Sequence, residues 1–80
     1  MRYKHDTKRL RLTGLIGACK DLDSMNAGDD PLAAIRITEH RDRMLYLLQK
    51  EDGMSRRQIC RELEKAGIKA SQIAALYRTT

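Results

Sequence analysis

The segment MSRRQI at residues 54–59 predicts the start of a helix more narrowly than any other part of this chain. Ser55 and Gln58 have the spacing of a capping box, in which the serine hydroxyl accepts from the N3 amide and the glutamine accepts from the N-cap amide. Met54 and Ile59 have the spacing of a hydrophobic staple across the same helix end. We therefore predict a helix that begins just after Ser55 and turns an apolar side towards the core.

Helical spacing continues along this segment and predicts which side of the helix is buried. The inward positions are apolar or small and the outward positions are charged: Ile59, Cys60, Leu63 and Ala66 against Arg57, Arg61, Glu64 and Lys65. Gly67 is the expected left-handed residue after the helix, and Ile68 is the apolar residue expected to fold back on it. Ser71 is the predicted N-cap of a second, short helix.

Two longer helical segments are predicted before this pair. From Lys8 onwards, apolar residues recur three and four positions apart and mark one side of a helix: Leu12, Leu15, Ile16, Cys19 and Leu22. Asp29-Asp30-Pro31 predicts the next helix start, because a capping side chain precedes a proline whose missing N–H needs no partner there. Lys50 and Gly53 predict its end, and the stretch between fits one long helix or two shorter ones.

No segment predicts a strand, so we expect an all-α fold, a small bundle of four or five helices. Residues 1–7 show no apolar period and are predicted to be a flexible basic arm, followed by a single helical domain over residues 8–80. A chain of 80 residues without Trp or Phe has a thin, largely aliphatic core. Because partner chains often supply the missing burial in proteins of this size, we expect a homodimer.

The charges of the chain are segregated along the sequence. Residues 1–20 carry six basic residues against one acidic residue, and residues 54–80 carry six against two. Residues 21–53 carry four basic residues against eight acidic ones. A fold that brings the two ends together would present a positive surface, which is typical of proteins that bind polyanions.

The remaining motifs point away from several functional classes. Cys19 and Cys60 lack the spacing of a disulfide framework or a zinc site, and we expect two buried, reduced thiols. Neither histidine has companion ligands, and Glu39-His40-Arg41-Asp42 has the alternating charge of a solvated helix side. We therefore expect no enzymatic activity, no metal and no cofactor. No stretch approaches the ~18 apolar residues of a membrane span, and we expect a cytoplasmic protein.

The segment 54–78 resembles the helix-turn-helix superfamily found in many small regulators of bacterial and mobile-element genes. The matching residues are Ile59, Cys60 and Leu63 in the first helix, Gly67 and Ile68 in the turn, and Ile73 and Leu76 in the second helix. The resemblance implies that the helix starting near Ser71 is a recognition helix. The turn is longer than in the common pattern, because Glu64, Lys65 and Ala66 separate Leu63 from the turn glycine.

These observations predict a small DNA-binding protein that acts as a regulator or accessory factor. Its DNA-binding residues would be basic or able to bond base edges: Arg56, Arg57, Lys65, Lys69, Ser71, Gln72 and Arg78. The basic arm would add contacts to phosphates or enter a minor groove, with Arg2, Lys4, Lys8, Arg9 and Arg11.

Two other functions fit the sequence. One is a protein-interaction module, such as an adaptor or a phage or plasmid inhibitor of a host protein, which would use the acidic middle and the row Met44, Leu45, Leu47 and Leu48. The simpler interpretation of that row is core. The other is the binding of structured RNA, which the shortage of aromatic side chains disfavours.

Overall fold

The computed structural model describes the backbone of residues 4–25 and 30–77, with the side chains from Thr7 onwards in those ranges. Within them the chain forms four helices and no strand: α1 (Lys4–Ser24), α2 (Pro31–Lys50), α3 (Arg56–Lys65) and α4 (Ala70–Leu76). The prediction of an all-α fold is confirmed, and the second segment is one long helix. None of these helices is long and apolar enough to cross a membrane.

Helix α1 begins at Lys4, earlier than the start predicted at Lys8. Residues 4–7 of the predicted flexible arm are therefore helical, and residues 1–3 lie outside the described part of the chain. Apolar spacing detects only the part of a helix that packs on a core. Once a helix is nucleated, each further residue adds a backbone hydrogen bond, so a polar extension forms without any apolar signal.

Helix α2 has the predicted cap at its start and the predicted glycine after its end. The Asp30 carboxylate accepts from the Leu32 amide at 3.0 Å, and Pro31 occupies the first helical position. Gly53 adopts a left-handed φ of +67°. The Met54 amide then donates to the Leu48 carbonyl at 2.9 Å, which turns the chain towards α3.

Both ends of α3 follow the sequence prediction. At its start, Ser55 N donates to Gln58 Oε1 at 2.9 Å and Gln58 N donates to Ser55 Oγ at 3.1 Å, which completes the capping box. At its end, Gly67 has a φ of +85°. The Ile68 amide donates to the Leu63 carbonyl at 3.0 Å, as in a Schellman motif. Ile68 is buried, as expected for the apolar residue of that motif.

The prediction that Ser71 caps α4 is wrong. Lys69 holds the N-cap position with extended backbone angles, and no side chain caps the helix. The Gln72 and Ile73 amides both donate to the Lys69 carbonyl, at 3.0 and 3.1 Å. Because Ile68 is anchored in the core directly after the turn, only Lys69 is left between the anchor and the helix.

Substituting the two serines separates the true cap from the predicted one. We expect Ser55→Ala to lower the free energy of unfolding by about 1 kcal/mol, because the Gln58 amide loses its acceptor. Ser71→Ala is the matched control and should change stability by less than about 0.5 kcal/mol. Urea unfolding followed by circular dichroism measures both. Equal losses in the two variants would contradict this assignment of the caps.

The core forms where α1, α2 and α3 meet. Nine of the described hydrophobic residues are buried: Leu15, Ala18, Cys19, Leu45, Leu48, Met54, Ile59, Leu63 and Ile68. Half-buried residues pack around that cluster, among them Ile73 and Leu76 of α4 and Tyr77 directly after it. Met54 and Ile59 both belong to the core, as the staple predicted. Since Leu45 and Leu48 are also part of it, the apolar row of α2 is core and not an exposed contact surface.

The two cysteines are free thiols in different surroundings. Cys19 is fully buried, whereas Cys60 is only half-buried, so the prediction of two buried thiols holds for the first alone. Burial raises the pKa of the Cys19 thiol, against the opposing charge of Arg41. The thiol of Cys19 therefore stays protonated and is a poor nucleophile.

Candidate nucleic-acid interface

The outward side of α3 carries a row of basic residues. Arg57, Arg61 and Lys65 are spaced four residues apart, so they lie on one side of the helix. All three are exposed, while Ile59 and Leu63 on the opposite side are fully buried. The packing of the apolar side therefore fixes the direction in which these cations point.

A groove of about 640 Å³ runs between the first half of α1 and α3, and we refer to it as the α1–α3 groove. Its lining comes from both ends of the chain: Lys8, Arg9, Leu12 and Thr13 on α1, then Met54, Gln58, Arg61, Glu62 and Lys65 in and before α3. The two basic ends of the sequence thus meet at one surface feature.

The α1–α3 groove has an excess of positive charge. Among the described residues of the lining, Lys8, Arg9, Arg61 and Lys65 supply four cations, and Glu62 supplies the single carboxylate. Lys65 Nζ lies 3.6 Å from Glu62 Oε2, and the lysine side chain is 67 % exposed, so this is a weak, solvated ion pair. The charges of Lys8, Arg9 and Arg61 remain to attract an anion.

Three of the four groove cations were among the residues predicted from the sequence, and one was not. Lys8 and Arg9 came from the predicted basic arm, and Lys65 from the predicted DNA-binding set. Arg61 was missed, although its spacing from Arg57 and Lys65 places all three on one side of α3. That spacing is the signal that could have identified Arg61.

Arg56 and Tyr77 connect the start of α3 to the end of α4. The Arg56 guanidinium carbon lies 4.3 Å from the centre of the Tyr77 ring, a cation–π contact. Burial raises the pKa of the Tyr77 hydroxyl, Cys60 adds to the increase, and Arg56 opposes it. Arg56 was predicted to bind DNA, and the structure places its guanidinium on this ring.

The predicted DNA-binding residues that the structure describes around α4 do not line the α1–α3 groove. Lys69 Nζ lies 3.4 Å from Asp23 Oδ1, an exposed ion pair similar to that of Lys65 with Glu62. Ser71 is exposed and Gln72 is half-buried. Arg78 lies outside the described residues.

Arg11 is the one remaining residue of the predicted arm whose side chain the structure describes, and it does not line the groove. Arg11 Nη1 lies 3.1 Å from Asp52 Oδ2, and the aspartate side chain is only 8 % exposed. This pair joins α1 to the turn before α3, so we assign Arg11 a structural role. Arg2 and the side chain of Lys4 lie outside the described part of the chain.

The described residues contain no group of three or more His, Cys, Asp and Glu side chains arranged to hold a metal ion. The resemblance to the helix-turn-helix superfamily rests on residues 54–78 alone. Comparisons of the chain with models of protein families, with curated proteins and with solved structures found no match.

Proposed function

We propose that this chain is a small DNA-binding protein, a regulator or accessory factor without catalytic activity. The observation that supports the proposal is the α1–α3 groove, where cations from two distant parts of the sequence line one cavity. Lys8 and Arg9 lie on one wall, and Arg61 and Lys65 lie on the other. Four basic side chains against one carboxylate are suited to a ligand with several regularly spaced negative charges.

The phosphates of DNA are such a ligand. Each phosphate that a lysine or arginine neutralises releases condensed counterions, so affinity falls linearly with salt on logarithmic axes. Four groove cations that contact about four phosphates correspond to a slope of about −3.6. The affinity for duplex DNA should therefore fall by about 100-fold between about 50 mM and about 200 mM salt.

Fluorescence anisotropy with a labelled duplex tests the proposal. We expect Arg61→Ala to weaken binding and to reduce the magnitude of the salt slope by about one, because one phosphate contact is lost. Arg43→Ala is the matched control, since Arg43 is an exposed arginine of α2 outside the groove. Absence of duplex binding at about 50 mM salt, or binding that is insensitive to salt, would refute the proposed function.

The sequence also predicted that α4 reads the bases of DNA. The geometry supports this part of the prediction less well than phosphate binding in the α1–α3 groove. The helix has only seven residues, and Ile73, Leu76 and Tyr77 pack one side of it on the core. The predicted base-reading side chains on the described part of α4 are Ser71 and the half-buried Gln72. The α1–α3 groove brings four described cations together.

A protein-interaction module remains the second candidate, and exposed apolar side chains favour it. Leu32 is 63 % exposed and Ile35 is 52 % exposed, one turn apart at the start of α2. The same residues are available for the homodimer that the thin core led us to propose. Co-purification of a stoichiometric partner that survives nuclease and high salt would favour this candidate over DNA. Sedimentation equilibrium of the purified chain tests the dimer.

A further inference from the structure

We propose that the α1–α3 groove binds the sugar–phosphate backbone of a double-helical nucleic acid irrespective of base sequence. This inference rests on the proposed function and specifies what that site recognises. It assigns the contact to α1 and α3, whereas the sequence predicted a recognition helix that starts near Ser71, with further contacts from α3 and the basic arm. Two features of the groove lead to it, and a third provides its test.

The first feature is the bonding state of Gln58, the amide side chain in the groove. A glutamine reads adenine through a bidentate pair that uses both its oxygen and its NH₂ group. Gln58 Oε1 already accepts from the Ser55 backbone amide at 2.9 Å in the capping box. Since a bidentate pair with adenine would break this half of the capping box, Gln58 is not free to read a base. Thr13, Lys8 and Lys65 can all bind phosphate oxygens, which carry no sequence information.

The second feature is the lack of a stacking surface. Proteins that bind unpaired bases place aromatic rings beneath them. No aromatic residue with a described side chain lines the α1–α3 groove. Of the tyrosines with described side chains, Tyr46 lies on α2, and the ring of Tyr77 is occupied by Arg56. The groove therefore favours a continuous backbone with its bases paired and stacked inside the duplex.

The third feature is Glu62, the single carboxylate among the groove residues that the structure describes. It repels a bound phosphate directly, and it partly neutralises Lys65 from 3.6 Å away. Removing its charge should strengthen backbone binding without altering the size of the side chain. Glu62→Gln is thus expected to be a gain-of-binding variant, and misfolding cannot imitate such a result.

The experiment measures the affinity of the full chain and of Glu62→Gln for several unrelated duplexes of equal length. We expect the variant to bind every duplex about fivefold more tightly at low salt. Glu64→Gln is the matched control, because Glu64 is an exposed α3 carboxylate outside the groove and its removal changes the net charge equally. The control should change affinity by less than about twofold. Equal effects of the two variants would overturn the assignment to this groove.

Other outcomes overturn sequence independence or the function itself. If the wild-type chain prefers one duplex by about 100-fold or more, this inference is wrong while DNA binding stands. Loss of that preference in Gln72→Ala then assigns base reading to α4, and its persistence assigns base reading to a groove arginine. Tighter binding of single strands than of duplexes also overturns the inference. If no duplex DNA binds, the proposed function fails. Duplex RNA is tested beside duplex DNA because it offers the same phosphodiester chemistry. The duplex that binds more tightly identifies which nucleic acid the groove recognises.

Discussion

Replacing Leu63 with alanine is expected to lower the free energy of unfolding by about 2–5 kcal/mol. Leu63 is fully buried, and its carbonyl accepts the Ile68 amide at the turn into α4. A chain of this length has a total stability of about 4–12 kcal/mol. The substitution therefore removes a large share of the stability, because α3 loses one of its two buried side chains in the core.

The expected loss of stability is large because the core has few large side chains that could shift to fill a cavity. Only five of the side chains that the structure describes are fully buried, and the sequence contains no Trp or Phe that could move into a cavity. The loss of stability caused by a Leu→Ala change increases with the volume of the cavity that remains. In a thin core, less of that volume is filled by relaxation of the neighbours, so we expect the upper part of the range.

Urea unfolding with circular dichroism measures this loss. Leu10→Ala is the matched control, since Leu10 is 67 % exposed and the same atoms are removed. We expect the control to change stability by less than about 0.5 kcal/mol. A loss below about 1 kcal/mol for Leu63→Ala would show that α3 is not packed as described.

The parts of the fold that could be predicted from the sequence depend on contacts between near neighbours. The capping box joins Ser55 to Gln58, and the Schellman turn joins Ile68 to Leu63, so each is determined within a few residues. Apolar spacing likewise identified the buried side of α3. These features follow from local hydrogen bonding and helix periodicity, and the rest of the chain cannot easily alter them.

The features that the sequence did not reveal depend on tertiary packing or lack an apolar signal. Ser71 has the chemistry of an N-cap, but the anchoring of Ile68 in the core starts α4 before it. The residues that extend α1 back to Lys4 are all polar, so the sequence contains no apolar spacing there from which a helix could be predicted. In both cases the backbone followed packing or helix propagation rather than side-chain propensity.

The candidate site was predictable only in part, for the same reason. The charge counts predicted that both ends of the chain are basic and that a positive surface forms where they meet. Which cations meet depends on how α1 packs beside α3, and this places Lys8 and Arg9 opposite Arg61. The sequence also could not show that Arg11 is paired with Asp52, because 41 positions separate the two residues.

Reversing two charges in the groove should have the largest effect on binding. We expect Arg9→Glu with Arg61→Glu to weaken duplex DNA binding by about 100-fold or more, because two phosphate contacts are lost and two repulsive charges replace them. The groove then keeps two cations, Lys8 and Lys65, against three carboxylates including Glu62. Both substituted arginines are exposed, so the fold should tolerate the change.

The matched control reverses two exposed arginines of α2, Arg36→Glu with Arg43→Glu. Each double variant lowers the formal net charge from +5 to +1, so long-range attraction to DNA is reduced equally in both. A difference between them therefore measures the position of the charges and not their number. If both lose affinity to the same extent, DNA is held by the overall charge of the protein, and the α1–α3 groove is not the binding site. If the groove variant alone loses about 100-fold, with unchanged helicity and midpoint of unfolding, the phosphates lie between α1 and α3.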